Sequence, residues 1–113
     1  VIDKSILQQT ALLISKELYI DKDEIGLPEH FDLLRQRVVY VIGYLIDNDF
    51  EHLLNLLYIM DVDEGKIRAI LDDHSILEPK YPIADVVIER EMQKVKTRIE
   101  YKQKKIDDDL EAW

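Results

Sequence analysis

The side chains best placed to do chemistry in this chain are its carboxylates. Asp21, Asp23, Gly26 and Asp32 fall at the first, third, sixth and twelfth positions of a calcium-loop template. That template needs oxygen ligands at alternate positions and a glycine for the sharp turn. Here Ile25 takes a ligand position, Pro28 sits in the second half, and Asp32 replaces the bidentate glutamate. The stretch reads as an acidic turn between helices. His30, His52 and His74 make no pair four residues apart, and no Glu stands three residues before a His. The helix spacings that build zinc or di-iron sites are therefore absent. Asp49 and His52 share a helix face and are expected to form a surface ion pair.

Ser5, Ser15, Ser75, Thr10 and Thr97 are the hydroxyl candidates for nucleophilic catalysis. None lies in a Gly–x–Ser–x–Gly turn, and no glycine-rich loop could cradle a phosphate. The chain has no cysteine, which removes thiolate nucleophiles, thiolate metal sites and disulfides. Carboxylates close in sequence occur at Asp72 with Asp73 and at Glu89 with Glu91. In a chain of net charge −9 they read as solvated helix faces. The expectation is a protein with no catalytic residue, no cofactor and no metal.

Any site would have to be positioned by helices. Three Gly and three Pro are too few for a chain of many tight β-turns. Val38 to Ile46 is an uncharged run bounded by Arg35 and Arg37 on one side and Asp47 and Asp49 on the other. Its β-branched residues suit a strand, but a helix is favoured. Phe31, Leu34, Val38, Val41, Ile42 and Leu45 recur at three- and four-residue spacing. No second segment alternates well enough to supply the ladder partner that a buried strand needs. Gly43 suits a close approach by another helix.

The expected order is a helix over about Asp3–Tyr19, a connector Asp21–Pro28, and the central helix from about Pro28 to Asp47. A third helix over about Asp49–Met60 and a short fourth ending near Asp73 follow. A connector, His74–Pro82, leads to a long last helix ending near Asp109. Asn48 with Glu51, and Asp61 with Glu64, have capping-box spacing. The reading is an all-α, single-domain bundle of four to five helices over residues 1–113. Its core covers about 1–99, and 100–113 project or pack on a partner chain. Leu34, Val38, Val41, Ile42, Leu45, Leu53, Leu57 and Ile70 are expected inside.

The charge is unevenly placed. Residues 1–79 hold 7 Lys/Arg against 16 Asp/Glu, whereas residues 80–113 hold 8 of each. Within the latter, Lys94, Lys96, Arg98, Lys102, Lys104 and Lys105 face only Glu100, and Asp107, Asp108, Asp109 and Glu111 follow. Ile88, Met92, Val95, Ile99, Ile106 and Trp113 follow a heptad-like seam that Lys102 and Asp109 interrupt. The expected function is protein–protein interaction or assembly, as a homodimer or with another protein. The contact residues would be Lys94, Lys96, Arg98, Ile99, Lys102, Lys104, Lys105, Ile106, Leu110 and Trp113.

Two other readings compete. Tyr40, Tyr44 and Tyr58 could line a ligand pocket. The third and fourth helices could form a DNA-reading helix-turn-helix, for which Lys66 and Arg68 are the available cations. Against the latter, an acidic chain is repelled by phosphate, so neither nucleic acid nor a membrane is the expected partner. No apolar run reaches the length of a membrane span, and no signal peptide is apparent. A cytoplasmic location is the expectation.

Overall fold

The structure, a computed structural model, describes residues 3–111. Six helices follow one another: α1 (Lys4–Glu17), α2 (Lys22–Ile25), α3 (Phe31–Asn48), α4 (Phe50–Ile59), α5 (Glu64–Asp72) and α6 (Lys80–Glu111). The fold is all-α, and no strand occurs among the described residues. The expected Asp21–Pro28 connector contains the one-turn α2, which is why the helices exceed the four or five anticipated.

Short acidic side chains open most of these helices. Asp3 accepts hydrogen bonds from the amides of Ser5 (2.7 Å) and Ile6 (3.4 Å) at the start of α1. Asp21, first residue of the calcium-loop template, accepts from the Asp23 amide at 2.9 Å and so caps α2. The predicted Asn48 cap is corrected by one residue. Asp49 accepts from the His52 amide at 3.1 Å, while the Asn48 side chain donates back to the Tyr44 carbonyl at 2.9 Å. Asp49 is extended (φ −157°) and is the single residue between α3 and α4. The predicted Asp61 cap moves two residues, to Asp63, which accepts from Gly65 and Lys66.

Asp61 has a different task. It sits at φ +58° just past the end of α4, and Tyr19 sits at φ +55° past the end of α1. After each, the chain donates back to the last turn: Ile20 N–H to the Ser15 carbonyl, and Val62 N–H to the Leu57 carbonyl. These are Schellman closures, which usually place glycine at the left-handed residue. Tyr19 is 76% exposed, so its ring contributes little packing to offset that conformation. Tyr19→Gly is expected to stabilise the protein by about 0.5–1 kcal/mol, the left-handed cost reduced by the entropy of glycine. A lower melting temperature in the variant would show that the tyrosine is needed there.

The core joins α1 (Leu7, Ala11, Ile14) with Leu18 just past its end, α3 (Leu34, Val38, Ile42), α4 (Leu53, Leu56, Leu57) and the first half of α6 (Ile83, Ala84, Val87, Ile88). Of the expected core residues, Leu45 and Ile70 are only half-buried. The central run is a helix, but it is not enclosed. Its outer face carries Tyr40 at 74% and Tyr44 at 59% exposure. Helix α6 packs along both α1 and α3 and also touches α5, so it shares the central role. What approaches Gly43 is not a helix backbone but the Lys80 side chain, whose Cδ would lie 2.9 Å from an added Cβ. Pro28 is buried ahead of α3 rather than inside its first turn, and α6 begins at Lys80, two residues before Pro82.

Helix α6 outgrows the bundle. Its 32 residues correspond to about 48 Å of helix. The molecule measures 58 × 29 × 26 Å. Among the described residues the last buried one is Val95, one turn earlier than the expected limit of the core.

Candidate functional site

Glu91 is the most unusual side chain in the fold. Ile88 and Val95 lie three residues before it and four after, so all three share the inner face of α6. Glu91 is fully buried, at 0% exposure. Its reading as part of a solvated acidic face is therefore corrected. The spacing that identified Ile88 and Val95 as core also contained Glu91, but its charge argued for the surface.

Two groups share its surroundings. Lys94, one turn further along α6, places Nζ 3.0 Å from Glu91 Oε2 and 3.0 Å from Glu17 Oε2 at the end of α1. Glu17 thus receives hydrogen bonds from Lys94, whereas neither Glu91 oxygen accepts one of acceptable alignment. The Lys94–Glu91 contact is a close approach without a formed hydrogen bond. Burial, the adjacent Glu17 carboxylate adding to it, pushes the Glu91 carboxyl up to about 8. Burial also acts upward on Glu17, but its contacts with Glu91 and Lys94, together with the nearby Arg98 charge, leave it below its ordinary value. Near neutrality the arrangement is an ionised Glu17, a charged Lys94 and a largely protonated Glu91. It can store a proton inside the α1–α6 interface, where Glu91 is closed off from solvent and the Glu17 side chain is 22% exposed.

Lys94, expected on a partner surface, is instead part of this bundle, its side chain only 16% exposed. The other predicted contact residues as far as Leu110 lie together on the projecting end of α6. Residues 96–111 are all exposed and all helical. Ile99 is 38%, Ile106 53% and Leu110 68% exposed. Among the described residues, Lys96, Arg98, Lys102, Lys104 and Lys105 form no ion pair. Trp113 lies outside the described residues.

The three tyrosines do not converge. Tyr58 edges a groove of about 670 Å³ along α4 and the start of α5, with Leu54, Ile59 and Ile67. Tyr40 edges a separate cleft of about 370 Å³ beside Arg37, and Tyr44 lines no described cleft. On α5 both cations face carboxylates, Lys66 Nζ at 3.8 Å from Glu89 and Arg68 Nη2 at 3.0 Å from Glu64. The described residues include no cluster of three or more His, Asp or Glu able to hold a metal ion. Asp49 acts as a cap for the His52 amide. Among the described residues no helix is long and apolar enough to cross a membrane.

Comparison with family models, with curated proteins and with solved structures gives no match to this chain.

Proposed function

We propose that this protein is a non-enzymatic interaction module that self-associates, as a homodimer, through the projecting half of α6. The observation that carries the reading is the exposed helix over residues 96–111. A helix of this length has marginal stability by itself in water. Its first turns are templated by the bundle, but nothing in the bundle covers Ile99, Ile106 or Leu110. A second chain would bury that stripe, and closed symmetric pairs are the commonest soluble assemblies. The non-enzymatic part of the reading is supported by the full burial of Glu91, the carboxyl with the most perturbed protonation.

Sedimentation of the full chain and of a version ending at Glu100 tests the proposal. At tens of micromolar the full chain is expected to be dimeric and the shortened one monomeric. Salt is expected to weaken the dimer only modestly, because exposed ion pairs contribute about 0–1 kcal/mol each. Two monomers would overturn the reading.

A further inference from the structure

We infer that the projecting half of α6 docks in the α4–α5 groove of a second copy of the chain. The inference rests on the self-association proposed above and names the surface that receives the helix. The groove is apolar at its base and exposed at its edge, where Leu54 is 40%, Ile59 63% and Tyr58 84% accessible. Its lining carries Asp61, Asp63 and Glu64 and no Lys or Arg; Arg90 engages Asp61 and Arg68 engages Glu64, which leaves Asp63 without an ion pair among the described residues.

The end of α6 has the complementary character. Residues 96–105 contain five cations and one acid, Glu100, around a narrow apolar stripe. Ile99, Ile106 and Leu110 are spaced as the anchors of a helix lying in a groove. They span about 17 Å of helix, close to the ~15 Å length of α4. Pairing two α6 ends side by side in parallel is the weaker arrangement, because it sets the five cations of residues 96–105 against those of the second copy.

A chain cannot fill its own groove. Arg90 donates to the Asp61 carbonyl (2.9 Å) and carboxylate (3.0 Å), which fixes the groove's rim beside the middle of α6. From there α6 runs unbroken to Glu111, carrying Ile99 about 13 Å further along the axis. Reciprocal exchange between two chains would fill both grooves and satisfy two-fold symmetry.

The lack of native cysteine permits a direct test. Full-length Ile59→Cys and Ile106→Cys variants, both altered at exposed positions, are mixed in equal amounts and mildly oxidised. Mass spectrometry then identifies the crosslinks. The mixed 59–106 product is expected to exceed both like-with-like products several-fold. Dominant 106–106 or 59–59 crosslinks would overturn the groove assignment while leaving self-association standing. A full chain that sediments as a monomer would overturn both. Independently, full-length Ile59→Lys places a cation where the basic helix must lie. It is expected to weaken the dimer by about tenfold or more, with an unchanged melting curve under monomeric conditions. A dimer of undiminished affinity would place the contact elsewhere.

Discussion

Replacing Glu91 by glutamine is expected to make the protein progressively more stable as pH rises above the ordinary carboxylate value of 4.5, most of all at alkaline pH, and to change it little below that value. In the folded state the carboxyl is raised to about 8 from an ordinary value of 4.5. Between those values the folded chain holds a proton that the unfolded chain has released. Stability must then fall as pH rises through that window. Above it, the folded state carries the cost of an ionised carboxylate beside Glu17, with Lys94 as the adjacent cation. Glutamine keeps the shape and never ionises. A tenfold change in proton affinity corresponds to about 1.4 kcal/mol, so the alkaline gain should reach a few kcal/mol. Glu17 acts in the opposite sense. Its carboxyl is lowered, so its contribution is present above the ordinary value and lost as pH falls through the lowered one. On these two groups the unaltered protein should therefore be most stable near the ordinary carboxylate value of 4.5. Urea titrations of both proteins across this range provide the check. Parallel stability curves would show that Glu91 does not change protonation on folding.

The second large effect is expected in α3. Ile42 is fully buried, whereas Tyr40 is 74% exposed. Two residues apart on a strand, both side chains would share a face; on a helix they point to nearly opposite sides. Ile42→Ala should leave a cavity among α3, α4 and α6 and cost about 2–5 kcal/mol. Tyr40→Ala should change stability by less than about 0.5 kcal/mol. The contrast in a urea titration, rather than either value alone, tests the helical face. Similar losses at both positions would contradict the packing of α3.

The same pair shows what could be read from the chain. Apolar spacing located α3 and, on α4, Leu53 and Leu57, because burial follows helical period; on the Leu-rich α4 it did not distinguish buried Leu56 from exposed Phe50, Leu54 and Tyr58. It did not separate Tyr40 and Tyr44 from their neighbours, since an uncharged run does not reveal which side lacks a cover. Caps were displaced within 48–63 because several adjacent residues there can cap. Backbone closure then decides between them: Asp61 is committed to the end of α4, so Asp63 opens α5. Glu91 was misplaced for a different reason. Its position in the period indicated burial and its charge indicated exposure. Its burial is tolerable because the carboxyl is raised to about 8 and so enters the interior largely uncharged. The projecting end of α6 was the most legible part of the candidate site, because its polarity could not belong to a core. Lys94 alone crossed that boundary, drawn inward by the two carboxylates.

The Glu17–Lys94 hydrogen bonds join residues 77 positions apart. By contrast, one residue separates α3 from α4. Loop closure grows costlier with chain length, so the α3–α4 corner is expected to form early and the α1–α6 clasp late. Contacts absent from the folding transition state act mainly on the rate of unfolding. The proton on Glu91 would then regulate how long the folded state lasts rather than how quickly it is reached. In a chevron measured at two pH values, the unfolding limb should move and the refolding limb should stay nearly fixed.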